Sequence, residues 1–249
     1  MAKSVKIGNR FFGSYKEADA HYKSILDRVD FNQPIFDPTD HKDLCALLHR
    51  YNLVLVAHGV ASKLPDRICY FEKRWNRGVG WSTPGFSVVC INEFETDFSY
   101  KKAVRATVDS PDLNFYKACR EAVALDALEA KKQAFKRHGN SNGEVQCEIT
   151  GRWLKFEDAH LDHAGPFFFR IIVSMFREAR GWTVQFPEDL LTDPGPNDFV
   201  VRFLDPSVRD AFRSLHKRNA DLRLVYKREN LAQAYLSRRP AIQRPVVIR

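Results

Sequence analysis

One stretch without helix-breaking residues divides the chain. Residues 112–137 contain neither Gly nor Pro, and they are followed at once by GNSNG, residues 139–143. Ser110 can cap a helix N-terminus and Pro111 suits a first helical position. The last turns of the stretch are basic, which stabilises the C-terminal end of a helix. The sequence therefore predicts a long helix, with the domain boundary where that helix ends.

The residues before this helix combine helical and strand patterns. A capping box from Ser14 to Glu17 begins one helix, and Leu44, Leu47 and Leu48 share one face of another. The aromatic and β-branched segments DRICYFEKRW and FSVVCINEF predict strands, and the turn-rich NRGVGWSTPG joins them as a hairpin. We therefore expect a small α+β domain over residues 1–108 and a helical linker over residues 109–140.

Residues 141–249 predict short strands separated by helices. A strand leads into HLDHAGP, residues 160–166, and FFFRIIVSMFREARG predicts a helix that ends at Gly181. Asp205 caps a further helix with Pro206 at its first position. LRLVY, residues 222–226, predicts an apolar strand, and RENLAQAYLSRR predicts a closing helix. The expected fold class of the whole chain is α+β.

Composition limits the classes of protein. No apolar run approaches the roughly 18 residues of a membrane span, and the N-terminus lacks the apolar core of a secretory signal. The five cysteines are widely scattered and none forms a CxxC pair. This usage favours a cytoplasmic protein with reduced thiols. No Gly-Lys-Ser/Thr phosphate loop and no Ser-His-Asp arrangement occurs, which disfavours nucleotide-driven motors and acyl-transfer enzymes.

The charge of the chain is concentrated near its C-terminus. The net charge is +8, and residues 217–249 alone carry +7. Such a segment is either a solvated helix and tail or a surface that contacts phosphates. Lys73, Arg74 and Arg77 lie around Trp75 and Trp81 in a second basic segment. These residues could stack on bases, or they could form a surface hairpin with a cation–π contact. The candidate nucleic-acid-binding residues are Lys217, Arg218, Arg223, Lys227, Arg228, Lys73, Arg74 and Arg77.

HLDHAGP places ionisable groups on both faces of a strand end. Side chains alternate along a strand, so Asp162 and His163 point in opposite directions. Asp162 and Asn230 could supply oxygen ligands to a hard cation that neutralises a scissile phosphate. Neutral His163 could accept a proton from the attacking water. The pattern is typical of metal-assisted phosphodiester hydrolysis.

The segments that carry this chemistry resemble the HNH, or ββα-metal, nucleases. LDHAGP resembles their DH-x-x-P signature, and LRLVYKREN resembles their second strand and helix start. The resemblance implies a metal, Mg²⁺ or Mn²⁺, held by Asp162 and Asn230, with His163 as the general base. The 58 residues between His163 and Leu222 require a helical insertion within the finger.

The middle residue of the signature has three candidates. We choose Asn219, with His216 and Asp221 as rivals; in the family this residue braces the loop that holds the base. His160 and His216 are otherwise assigned supporting roles, although His160 could reach the metal and His216 could be a surface residue. Tyr226 and Glu229 stand where many relatives have cysteines, and Thr150 stands where a second cysteine could follow Cys147. We therefore expect no structural zinc.

The N-terminal segment resembles the DCL domain. The resemblance covers roughly residues 1–108 and is most specific in DFSYKKAV, residues 97–104. It implies association with nucleic acid rather than chemistry. The combined expectation is a divalent-metal-dependent endonuclease, acting on double-stranded DNA as a restriction-type or modification-dependent defence enzyme, with a homodimer as one way to cut both strands. The alternative is a non-catalytic nucleic-acid-binding module in RNA processing or DNA architecture.

Overall fold

The chain folds into two compact units of mixed α+β structure. The computed structural model describes residues 3–64, 67–193, 198 and 200–227. One unit comprises residues 1–111 together with 193–199, and the other comprises residues 112–192 together with 200–249. Within the described residues, no helix is both long and apolar enough to cross a bilayer.

Three helices and five strands make up the part of the first unit that the structure describes. Its elements are β1 (Val5–Ile7), β2 (Arg10–Phe12), α1 (Tyr15–Arg28), α2 (Pro38–Ala57), β3 (Ile68–Gly78), β4 (Trp81–Cys90), β5 (Glu95–Phe98) and α3 (Tyr100–Arg105). The order β3-β4-β5 is an antiparallel meander, and β1 and β2 form a separate hairpin. Ser14 caps α1 as predicted, with its hydroxyl accepting from the Glu17 amide. Leu44, Leu47 and Leu48 are fully buried in the core of this unit.

The predicted linker helix is two helices that belong to the second unit. Helix α4 (Pro111–Ala122) and helix α5 (Ala124–His138) meet at Val123, whose backbone is not helical. Phe115 and Cys119 of α4 are buried in one apolar cluster, whereas Ala130 and Ala134 of α5 are buried in another. The break follows from this packing, because one continuous straight helix would not bury side chains in both clusters. The units divide near residue 111 and not near residue 140.

Within the described residues, the remaining elements of the second unit are short strands and two further helices. They are β6 (Val145–Gln146), β7 (Trp153–Leu154), β8 (Ala159–His163), α6 (Phe169–Ala179), α7 (Pro206–Asn219) and β9 (Leu222–Tyr226), with 3-10 turns at Phe156–Asp158 and Glu188–Leu190. Asp205 caps α7 by accepting from the Ser207 amide at 2.7 Å. Helices α6 and α7 lie between β8 and β9 in the chain. The closing helix predicted over RENLAQAYLSRR begins at Arg228 and lies outside the described residues.

Candidate active site

The site is built on the antiparallel hairpin of β8 and β9. The register pairs Asp162 with Arg223 and His163 with Leu222. Because directly paired residues share one face of a sheet, this register sets Asp162 beside Arg223. Nε and Nη2 of Arg223 donate to Oδ2 of Asp162 at 3.0 and 2.9 Å. Both residues are 7% exposed, so the hairpin contains a buried ion pair.

His163 turns away from this ion pair and contacts His216 of α7. The two Nε2 atoms are 2.8 Å apart. Phe169 packs beside both rings, with centroids 5.2 Å from His163 and 5.8 Å from His216. His216 is 1% exposed, and its Nδ1 has no hydrogen-bond partner within the described residues. The strand-end histidine is therefore oriented by a buried histidine from the insertion.

Both histidines are neutral near pH 7. Burial, reinforced by the neighbouring His216 and by the charge of Arg120, lowers the pKa of His163 to about 3. Burial also lowers the pKa of His216 to about 4, opposed by the carboxylate of Asp126. Neutral imidazole is the form that can accept a proton. For Asp162, burial raises the pKa and the Arg223 guanidinium opposes that rise.

The structure distinguishes the three candidates for the middle residue. Nδ2 of Asn219 donates to the Leu215 carbonyl within α7 at 2.8 Å, so that side chain is engaged with its own helix. Asp221 is exposed, and its backbone carbonyl accepts from the Ala164 amide at 2.8 Å. Only His216 among the three has a recorded contact with the His163 ring within the described residues. The choice of Asn219 over His216 is therefore not supported by the geometry.

His160 lies in a different environment from His163. It pairs with Val225 across the hairpin and is partly buried. Burial lowers its pKa, and the charges of Lys227, Lys131 and Arg120 lower it further. A cationic environment does not favour a metal ligand. Arg120 and Lys131 were not found from the sequence, because α4 and α5 lie outside every motif and were interpreted as a linker.

The described side chains alone do not supply the set of oxygen ligands that a divalent cation needs. Such cations prefer several oxygen ligands, and the Oδ2 atom of Asp162 already accepts two hydrogen bonds from Arg223. No group of three His, Cys, Asp or Glu side chains lies together within the described residues. Asn230, the second predicted ligand, lies outside them. The requirement for Mg²⁺ stays a prediction.

Hydrogen bonds connect the segment around Cys147 and Glu148 with β9. Sγ of Cys147 accepts from the Tyr226 amide at 3.3 Å. Glu148 is paired twice with Leu224, since its amide donates to the Leu224 carbonyl at 2.9 Å and its Oε1 accepts from the Leu224 amide at 3.0 Å. Cys147 is fully buried in the apolar cluster of the hairpin. These bonds join the segment after β6 to β9.

The predicted nucleic-acid-binding residues of the second unit differ in exposure. Lys217, Arg218 and Lys227 are exposed. Arg223 is buried against Asp162, and its contact with phosphate stays a prediction. Arg228 lies outside the described residues.

The basic hairpin of the first unit is largely engaged within its own fold. Nζ of Lys73 donates to the Val29 carbonyl at 3.0 Å and lies 4.5 Å from the centroid of the Phe31 ring. Arg74 forms ion pairs with Glu72 and Glu95. Trp75 stacks on Phe31 with centroids 4.3 Å apart. The cation–π alternative therefore describes Lys73, and Arg77 is the exposed cation of the three.

Comparisons with known proteins give one structural similarity. No family model and no curated protein matches the chain. The solution NMR structure of an uncharacterized protein from Rhodospirillum rubrum is similar over 41% of this chain and 89% of its own, with 24% sequence identity and a TM-score of 0.34.

Proposed function

We propose that the protein is a nuclease that hydrolyses phosphodiester bonds, with His163 as the general base. The observation that carries the proposal is the 2.8 Å contact between the Nε2 atoms of His163 and His216. It holds a neutral imidazole in one orientation at the end of a strand. Within the described residues, the His163 ring has no other recorded hydrogen bond, which leaves Nδ1 for a water molecule.

The histidine pair assigns a tautomer to each ring. For Nδ1 of His163 to accept a proton, its Nε2 must carry hydrogen and donate to the lone pair on Nε2 of His216. His216 then carries its own hydrogen on Nδ1, the buried atom that lacks a partner. Such a partner fixes the tautomer and ring orientation of a base, as in other histidine-based sites.

The hydrolytic step follows from this arrangement. A water oxygen forms a bond to phosphorus while its proton moves to Nδ1 of His163. The bond from phosphorus to one sugar oxygen breaks, and that oxygen leaves with a proton from solvent. The bound phosphate raises the pKa of His163 above its value of about 3 in the free protein, because a nearby negative charge stabilises the imidazolium. The base is therefore strengthened only when substrate is present.

The proposed substrate is DNA, and the role is restriction-type or modification-dependent defence. This part rests on the resemblance to HNH nucleases and on the net charge of +8. Mg²⁺ or Mn²⁺ would stabilise the leaving oxygen when bound. The DCL-like segment would recognise the substrate, and two copies of the chain would cut two strands.

One observation favours a second candidate, a binding module without catalysis. The buried Arg223 guanidinium already neutralises Asp162, the residue expected to hold the metal. A hairpin in which this ion pair is permanent could keep its affinity for nucleic acid while no longer cleaving it. Cleavage assays separate the two candidates.

The test is cleavage of plasmid DNA, phage DNA with modified bases and structured RNA, each with Mg²⁺, Mn²⁺ or EDTA. His163→Ala should lower the rate by about 10²–10⁴-fold, the usual effect of losing a general base, while binding stays close to wild type. His160→Ala is the matched control and should be milder, since the alternation of side chains along β8 places this second histidine on the opposite face from His163. Thermal melts show whether each variant is folded. An active His163→Ala protein overturns the proposal, and a wild-type protein that binds but never cleaves supports the binding module.

A further inference from the structure

Two lysines lie together at the beginning of β8. Nζ of Lys131, on α5, donates to the carbonyl of Ala159, the first residue of the strand, at 2.6 Å. The same ammonium group lies 4.2 Å from the centroid of the Phe156 ring. Lys227 directly follows β9, whose last residue, Tyr226, pairs with Ala159. Both lysines are therefore held at one end of the hairpin.

Arg120 lies near the other end of the strand. Its guanidinium carbon is 6.0 Å from the centroid of the Phe169 ring, and that ring is 5.2 Å from the ring of His163. Arg120 is exposed. The guanidinium from α4 therefore lies close to the proposed general base, with His160 between it and the two lysines along β8.

The three cations have no ion-pair partners within the part of the chain that the structure describes. Burial lowers the pKa of Lys131, and the charge of Lys227 lowers it further, while Glu157 opposes both. Several other basic groups of this unit lie against carboxylates, among them Arg177, Arg202 and Arg213. Bringing like charges together without counter-charges costs free energy, and a bound anion removes that cost.

We propose that Arg120, Lys131 and Lys227 form an anion-binding strip along β8 that holds the phosphate backbone of one nucleic-acid strand across His163. The identity of the ligand rests on the proposed function. Five residues of strand span about 13 Å, close to the axial length of four base pairs of B-DNA. The strip therefore contacts consecutive phosphates, and the guanidinium of Arg120 binds the one next to the base.

This assignment differs from the one suggested by charge along the sequence. Lys217 and Arg218 stand in the last turn of α7, where cations also stabilise the helix end. Their position is explained without a ligand. The strip draws its members from α4, α5 and the end of β9, so it exists only in the folded unit.

The experiment compares two full-length triple variants that lose the same charge from the same unit. The first is Arg120→Gln, Lys131→Gln and Lys227→Gln. The control is Lys132→Gln, Lys136→Gln and Arg137→Gln, all exposed residues of α5 outside the strip. Anisotropy of a fluorescein-labelled 20-base-pair DNA duplex and of its single strand gives the Kd at a series of salt concentrations.

The strip variant should raise the Kd at least tenfold and lower the slope of log K against log salt by about 2–3, since each lost phosphate contact removes about 0.9. The control should stay within about threefold of wild type. Equal losses in both variants, or no loss in the strip variant, overturn the proposal, as does a wild-type protein that binds neither DNA. If the triple variant fails to fold by thermal melting, the exposed single changes Arg120→Gln and Lys227→Gln decide, each with an expected slope change of about 1.

Binding is measured without Mg²⁺, so the two proposals fail separately. If the wild-type protein binds DNA through the strip but cleaves it under no condition, the anion-binding strip is supported and the nuclease proposal is refuted. If the strip variant cleaves DNA and binds it with unchanged Kd, the nuclease proposal is supported and the anion-binding strip is refuted.

Discussion

Acidification should destabilise the protein through the His163–His216 pair. In the folded protein the pKa values of these residues are about 3 and about 4, below the ordinary value of 6.5. The unfolded chain takes up both protons as the pH falls through about 6.5, whereas the folded protein does not take them up until the lower values. The stabilising contribution is therefore complete above pH 6.5 and is lost as the pH falls. Each histidine contributes about 1.4 kcal/mol per pH unit.

The magnitude is large against the usual stability of a domain. Over the roughly 1.5 units from pH 6.5 to pH 5, the pair should lose about 4 kcal/mol out of the 5–15 kcal/mol typical of a folded domain. Urea unfolding at several pH values measures the free energy of unfolding for wild type and for the double variant His163→Gln, His216→Gln. Over the same pH range, the free energy of unfolding of the double variant should fall by about 4 kcal/mol less than that of wild type, whatever the stability of the variant at pH 7.

His58→Gln is the control for this measurement, because His58 is exposed in the other unit. It should keep the wild-type pH dependence. NMR of the histidine ring protons gives an independent readout. The reasoning is refuted if wild type and the double variant lose the same stability, or if either ring of the pair titrates near 6.5.

The other predictions concern the ion pair, the metals and a helix cap. Arg223→Leu should cost about 3–5 kcal/mol in urea unfolding because it leaves Asp162 buried without its partner, while the double change to Leu at both positions should cost less; equal losses would contradict this. Elemental analysis should find no stoichiometric zinc, since Cys147 is engaged with Tyr226, and one zinc per chain would show that prediction to be wrong. EDTA should abolish cleavage and leave DNA affinity unchanged, and cleavage at full rate in EDTA would rule out the Mg²⁺ requirement. Asp205→Ala should lower stability by about 1 kcal/mol through loss of the α7 cap, whereas an unchanged stability would mean that the cap contributes little.

Elements with a local signal could be predicted from the sequence. Asp205 caps α7, and β9 covers the predicted residues 222–226. The break between α4 and α5 could not be predicted, because no Gly or Pro marks Val123. It depends on two separate apolar clusters, which also contain residues from much later in the chain, such as Phe212 and Leu224.

The site was predictable only where it depends on strand alternation. That rule gives Asp162 and His163 different surroundings. It does not predict their partners. Arg223 becomes the partner of Asp162 through a strand register that spans 58 intervening residues. His216 becomes the partner of His163 through the packing of α7 on the hairpin. Arg120 and Lys131 come from helices that carry no motif, so their approach to β8 is a property of tertiary structure alone.

The ion pair between Asp162 and Arg223 also fixes the register of the β8–β9 hairpin. Its neighbours in the register are Leu161 with Leu224 and His160 with Val225, pairs whose apolar members would tolerate sliding. A register shift by one residue would leave both buried charges without their partners, so the shifted registers are strongly destabilised. His163 consequently meets His216 in one position only. The position of the proposed general base thus depends on the register that Asp162 and Arg223 fix.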